Sequence, residues 1–403
     1  MKFKEIFPIS AVVFLGYLGF SITFPLFPPL FLDPESAFFT DFHSPEWRNV
    51  FLGILLSMYP LGQLIGCPLV GKLSDHFGRK RVLLYSLAII VPTYIGSAIS
   101  VTYALPVLLF FSRFLSGMVE GNVVIAQAAL SDITTSEKEK RKCFSWTLSL
   151  GSLAWVIGPF MGGKLSDPKL VSWFTYATPF WAAGITSFFT FFYILKSFPA
   201  ARNTIKKGEL KLTRIFRTLF SGFRIRSLRP ILGINTLLYM AIFFFFSFLP
   251  VFLIQKFDYN ASSLAEIMSY NSIPIALAPL VQARLFKNKT ARYVFAFSSF
   301  LLAIGMVILL LPSSAYALYL TLIPPSLGIA WGLSFGALRV SESVTKEIQG
   351  EALGLNQSVQ VLSEALSAVI GGQLAGLLIG LPLMVGAGFA FLAGVMVLIR
   401  IRR

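Results

Sequence analysis

The stretch Gly71-Lys-Leu-Ser-Asp75-His-Phe-Gly78-Arg79-Lys80-Arg81, GKLSDHFGRKR, stands between two apolar runs at 49–71 and 82–101. Each run has about the 20 residues needed to cross a bilayer. A turn with four basic residues and two glycines does not belong in hydrocarbon, so it reads as a tight surface connection between two spans. The glycines permit sharp reversal and close approach. Asp75 is placed to cap the following turn or to pair with the basic cluster.

The rest of the chain repeats this alternation. Of 403 residues, 56% are hydrophobic and only 13% charged, against about 25% charged in soluble domains. Twelve apolar runs are read, at 7–32, 49–71, 82–101, 104–131, 143–165, 173–198, 230–255, 264–283, 291–311, 314–338, 351–380 and 382–399. The expected fold is an all-α membrane protein with twelve transmembrane helices in two six-helix, pseudo-symmetric bundles. The apolar start has no small-residue cleavage pattern behind it and reads as an uncleaved first span.

Basic residues near span ends stay on the cytoplasmic side. With the N-terminus inside, 29 of the 34 lysines and arginines fall in inner segments, which places both termini in the cytoplasm. The formal net charge of +16 then reflects topology and attraction to an anionic inner leaflet, and nucleic acid is not an expected partner. Cys67 and Cys143 make neither a disulfide framework nor a metal spacing. His43 and His76 read as solvated loop residues. No protease, hydrolase or phosphate-cradling motif appears, so an enzyme or an ATP-driven pump is not expected. No cofactor and no metal are expected.

Three domains are expected: an N-terminal bundle at 1–198, a basic linker at 199–229 and a C-terminal bundle at 230–403. In the linker Leu212, Ile215, Phe216, Leu219, Phe220 and Phe223 recur at helical spacing among lysines and arginines. That pattern is an amphipathic helix on the inner leaflet, serving as a connector or as a regulatory loop. The halves resemble each other: Pro28 falls on Pro250, and Gly162-Gly163 falls near Gly371-Gly372. A duplicated bundle follows the parallel-repeat plan, with substrate bound near the bilayer midplane.

Within span four, Gly117, Glu120, Val124 and Gln127 follow Arg113 at helical spacing and form one expected stripe. Each charge would cost about 2.5–3.5 kcal/mol or more if turned to lipid, so the stripe must face protein or water. Arg113 and Glu120 are roughly 10 Å apart along a helix axis, which makes them adjacent stations rather than a closed pair. Span eleven carries Gln357, Gln360, Glu364, Ser367 and Gly371 on one face. Intramembrane carboxylates are functional candidates by default. The competing readings are a structural ion pair at Glu120 and a hydrogen-bonded strut at Glu364. Span five carries Gly158-Pro159-Phe-Met-Gly162-Gly163, in which proline bends the helix and glycine allows close packing; a plain small-residue seam is the alternative.

The turn at 71–81 resembles the major facilitator superfamily loop signature, G-x-L-x-D-x-x-G-R-K. The first 200 residues are similar to the twelve-span drug/proton antiporter branch, with tetracycline exporters among the nearest in pattern. Tyr59, Gln63, Gly71, Asp75, Gly78, Arg79, Arg113, Gly117, Asp132, Gly158, Pro159, Gly162 and Gly163 carry the comparison. The resemblance implies the major facilitator fold, a gate at Gly71, Asp75, Gly78, Arg79 and Asp132, and an influence of Arg113 on proton transfer. It also implies export, through the GPxxGG core of span five. The chain departs from the tetracycline exporters at Gly16, where they carry an aspartate, and in the second half, where 281–295 lacks the Asp and both glycines.

The expected function is proton-coupled export of a small, partly apolar or cationic organic molecule by alternating access. Glu120, Glu364 and Arg113 are the coupling candidates. Asn122, Gln127, Asn235, Tyr239, Gln360 and Gln63 are candidates for the cavity wall. The expected partners are substrate, protons and lipid; the expected setting is a monomer in the bacterial inner membrane. A nutrient importer of the same fold and a non-transporting scaffold or receptor are the two alternatives.

Overall fold

The computed structural model describes residues 3–33, 38, 44–134, 136–198, 228–312, 314–346 and 348–399. The expected amphipathic linker helix falls outside these residues, as does His43. Fifteen helices are present among the described residues. They are α1 Phe3–Ser21, α2 Phe27–Leu32, α3 Pro45–Phe77, α4 Arg79–Thr102, α5 Pro106–Val119, α6 Asn122–Ile133, α7 Glu137–Lys164 and α8 Thr178–Ser197. The remaining helices are α9 Leu228–Phe257, α10 Ala261–Leu285, α11 Ala291–Leu309, α12 Ala315–Thr321, α13 Ile323–Glu342, α14 Gln349–Leu377 and α15 Leu381–Ile399.

Nine helical stretches among the described residues are long and apolar enough to cross a membrane. The other three expected spans are helical but differ in composition. The apolar part of α1 is short, Ile6–Ser21. The first turns of α7 read EKEKRK, and α14 is interrupted by Gln, Asn and Glu. Large apolar side chains such as Phe188, Phe189 and Phe192 on α8 and Ile304 and Val307 on α11 stay exposed. That outward face suits hydrocarbon rather than water.

Three expected spans are interrupted. Span one stops at Ser21 and resumes at Phe27, with prolines in the first turn of α2. Span ten divides at Leu322, just before the Pro324-Pro325 start of α13. Proline suits a helix start because its missing N–H would be unpaired there anyway. Span four divides at Glu120-Gly121 without proline. There the Glu120 amide donates to the Gly117 carbonyl at 3.2 Å, a tighter i to i−3 bond, and Gly121 admits the Val70 side chain. The tighter turn changes the angular register. The expected single stripe therefore ends at Glu120, and Val124 is exposed.

The chain forms two compact units. The first takes residues 1–40, 58–212 and 260–269; the second takes 41–57, 213–259 and 270–403. In the first, α1 packs on α7, and α4 packs on α8 and α5. In the second, α9 packs on α14, and α11 packs on α15 and α13. Taken in chain order these are the same pairings, as a duplicated bundle requires.

Glycines set the tightest crossings. A side chain at Gly162 would strike the Ile22 carbonyl, whereas one at Gly233 on α9 would meet open space. Gly162→Ala is expected to destabilise by about 1–3 kcal/mol through overpacking. Gly233→Ala is expected to stabilise by about 0.5–1 kcal/mol through backbone entropy. Thermal unfolding of the two purified variants checks this, and shifts of the same sign would contradict the packing.

Candidate functional site

Arg113 lies on α5 with 2% of its surface exposed and no ion-pair partner among the described residues. Aromatic rings surround its guanidinium. The Cζ stands 5.1 Å from the Tyr59 ring centroid, 5.8 Å from Phe27 and 5.9 Å from Tyr94. Each such contact contributes about 0.5–2 kcal/mol when desolvated, which offsets much of the cost of burying the cation. Tyr59 arrives because α3 and α5 cross closely: Gly117 lies against the Tyr59 carbonyl, and Gly62 against the Phe114 carbonyl. The Arg113 Nη1 has no hydrogen-bond partner.

Glu120 closes α5 at its C-terminal cap, 5% exposed, with Oε2 unpartnered. It lies within the field of Arg113, and no ion pair closes between them. Asn122, which opens α6, is 2% exposed and its Oδ1 is also unpartnered. The Tyr59 hydroxyl, which faces the Glu120 carboxyl, completes a group of four buried polar side chains. On α1, Gly16 faces this group: a Cβ there would stand 3.6 Å from Glu120 Oε1 and 3.2 Å from Val123 Cγ2. The glycine that departs from the exporter pattern thus lies against the buried carboxylate.

Next to Tyr59 is an apolar wall that the sequence reading did not single out. The Phe20 ring lies 4.6 Å from Tyr59 and 5.5 Å from Trp155, and Phe24 lies 5.5 Å from Trp155. Phe20, Phe24 and Trp155 are half-buried. Tyr94 and Phe27 were also missed, because ring contacts to Arg113 join residues far apart in the chain. Gln63 and Gln127 belong to the same unit and are half-buried.

The 71–81 turn is narrower than its sequence implied. Helix α3 continues through Asp75 to Phe77, and the reversal falls on Gly78 alone, whose φ of 93° favours glycine. Gly71 has neither a positive φ nor a near neighbour. Arg79 gathers the polar groups. Its Nη1 lies 2.5 Å from Asp75 Oδ1 and donates to Ser74 Oγ at 2.6 Å, while its Nε lies 3.3 Å from Asp132 Oδ2. One arginine therefore joins the ends of α3, α4 and α6.

On α7, Gly158 packs against Ser21 and Gly162 against Ile22, while Gly163 packs against Ala261 and Ala265. The helix runs on through Pro159. Lys164 at its end donates to Glu266 at 2.6 Å and to Ser262 at 3.0 Å.

In the second unit Glu364 is half-buried on α14, as is Gln360 one turn before it. Asn235 and Tyr239 lie elsewhere in that unit, inside a polar network. Asn235 Nδ2 donates to Asn356 Oδ1 at 2.8 Å, and Asn356 Nδ2 donates to the Tyr239 hydroxyl at 2.7 Å. Asn356 was not anticipated; nothing in its local pattern marks it.

The comparisons with known proteins agree with this fold. The chain is 30% identical over 193 residues to the tetracycline resistance protein, class B, of Escherichia coli, covering 48% of this chain and 44% of that protein. It spans less than half the length of the tetracycline-resistance relatives it matches first. It is 25% identical over 397 residues to multidrug resistance protein 2 of Bacillus subtilis, covering 95% of this chain and 91% of that protein. Among solved structures, the human organic anion transporter MFSD10 superposes with a TM-score of 0.71 at 19% identity, covering 98% of this chain and 99% of that one. The Major Facilitator Superfamily matches residues 9–368, and with nine membrane-length helices among its described residues the chain is an integral membrane protein that belongs to that superfamily.

Proposed function

We propose that the chain is a secondary active transporter that exports a small, partly apolar or cationic organic molecule in exchange for protons, alternating between inward- and outward-open states. The observation that carries this reading is Glu120: a buried carboxylate with an unpartnered oxygen, within the field of Arg113 and facing Gly16. Such a group takes up and gives back a proton without breaking any existing ion pair. The relatives named for tetracycline and multidrug resistance favour export of organic molecules, and the half-buried rings of Phe20, Phe24 and Trp155 suit an apolar cargo.

Roles follow from placement. Glu120 is the principal proton station and Arg113 tunes it. Glu364, half-buried and without a cationic partner, is the second acidic site. Gln63, Gln127 and Gln360 are polar wall candidates, and Asn122 lies beside the proton station. The Arg79 cluster acts as a latch at the inner face: breaking its contacts to Asp75 and Asp132 frees the ends of three helices. Both termini face the cytoplasm of a bacterium, the domains divide as 1–198, 199–229 and 230–403, and the working unit is a monomer.

One proton moving down about 100 mV releases about 2.3 kcal/mol, enough for a gradient of about fiftyfold at about 1.4 kcal/mol per tenfold. In proteoliposomes loaded with ethidium, an imposed proton gradient is expected to drive dye movement against its gradient, in the direction opposite to the protons. Glu120→Gln should remove that drive and leave only downhill leak. Accumulation along the proton gradient would point to an importer, and unchanged flux in Glu120→Gln would refute the assignment.

The double variant Gly16→Asp/Glu120→Gln tests placement rather than identity. It returns a carboxylate to the same space from α1, with Val123 yielding a few tenths of an ångström. Partial recovery of proton-driven flux is expected, whereas Gly16→Asn/Glu120→Gln should recover none.

A further inference from the structure

Arg339 occupies the last turn of α13, 7% exposed, with Nη1 unpartnered and no acidic side chain paired with it among the described residues. Its Cζ lies 4.5 Å from the Phe295 ring centroid. The titratable groups that face it are Arg292 and Tyr239. Arg292 repels it and is already committed, donating from Nε to the Val397 carbonyl at 3.0 Å and from Nη2 to the Leu398 carbonyl. Tyr239 is neutral. A buried charge needs compensation; the Phe295 ring face and the last turn of α13 supply part of it and leave Nη1 open to a ligand. Arg113 in the first unit has Glu120 within its field, and Arg339 has no counterpart.

The surroundings of Arg339 are arranged for negative charge. Asn235 Nδ2 spends its two hydrogens on the Gly336 carbonyl at 3.3 Å and on Asn356 Oδ1, so Asn235 holds Asn356 in place and offers an anion no donor. Asn356 donates to the Tyr239 hydroxyl, which leaves the hydroxyl hydrogen free to be donated onward. Asn235, Phe295 and Asn356 each lie within about two turns of the start of α9, α11 and α14. Helices α9, α11 and α14 therefore all begin at the end of the unit that holds Arg339, and a helix start carries positive partial charge over its first turn. Lys287 and Lys289 lie exposed in the connection just before α11.

We propose that Arg339, Tyr239 and Asn356 form an oxyanion site that takes a carboxylate or phosphate group, arriving from the end of the second unit where α9, α11 and α14 begin. A planar guanidinium meets either group through two parallel hydrogen bonds. The group comes from a free anion or from a lipid headgroup, and the site is separate from the Glu120 station. It does not depend on the direction of transport.

The test uses the full chain in nanodiscs of phosphatidylcholine, and again in discs containing phosphatidylglycerol, at fixed ionic strength. Inorganic phosphate and benzoate are titrated while thermal unfolding is followed. A free-anion site gives a saturable rise in Tm in neutral discs. A headgroup site gives a raised Tm in phosphatidylglycerol discs, with no further rise on adding anion. Arg339→Gln removes the response in either case, and Lys256→Gln, which removes an equal charge at the other end of α9, keeps it. Arg339→Lys keeps the charge but loses the planar fork, and its midpoint anion concentration should rise at least about tenfold. The absence of any saturable or lipid-dependent shift overturns the site, as does a shift of equal size in Arg339→Gln. Should Arg339→Gln not fold, the lysine variant decides: an unchanged midpoint refutes the proposal.

Discussion

Hydrocarbon offers no hydrogen bonds, so a polar side chain inside a span is tolerated only where neighbouring helices or a water-filled space satisfy it. The crossing of α3 and α5 supplies that condition here. Gly62 and Gly117 bring the two backbones close enough that Tyr59 reaches the Arg113 guanidinium. A larger side chain at either glycine would separate the helices and leave a cation exposed to apolar surroundings. The arginine depends on the crossing, and the carboxylate follows it about two turns further along the span.

The helix break extends this logic. An uninterrupted α-helix would have continued the Arg113 stripe through Val124, turning the same face to its neighbours for the whole span. The tight turn at Glu120 instead buries the carboxylate at a cap. Gly16 leaves the space on α1 open beside it. The resemblance to tetracycline exporters implies a carboxylate on α1 at that position. In this chain the carboxylate comes from the adjacent helix and reaches the same region, so a change of sequence position is a small change in space.

Much of this was legible in the residues. Length, apolar runs and basic turns gave the helical membrane class, and the spacing at 71–81 marked a tight turn on two glycines, which the fold narrows to Gly78. Arg113 and Glu120 stood out because charge is rare in such runs. The break at Glu120 was not legible, because a glycine within an apolar run more often marks close packing than an interruption, and here it does both. The ring cage of Phe27, Tyr59 and Tyr94 was hidden for another reason: aromatic residues are abundant in the chain, and only the fold selects three of them. Asn235 and Tyr239 were read as wall residues, whereas Asn356 holds both in a buried network. Their periodicity could not distinguish a polar face turned to a cavity from one turned to another helix.

The two units share packing and differ in charge, and the reason is energetic. Gly162 lies against Ile22 and Gly163 against Ala261 in the first unit; Gly371 lies against Phe248 and Gly372 against Asn49 in the second. A glycine at such a crossing has no substitute, since any added carbon collides with a neighbouring helix. Charges face a looser requirement: each buried one needs compensation, but ring faces, helix ends, a carboxylate or a bound ligand can each provide it. A duplicated bundle can therefore keep its glycine seams in both halves while its ionisable groups diverge. The first unit holds Arg113 with a carboxylate of its own chain. The second holds Arg339 with no such carboxylate, and so differs in the one respect that packing leaves open.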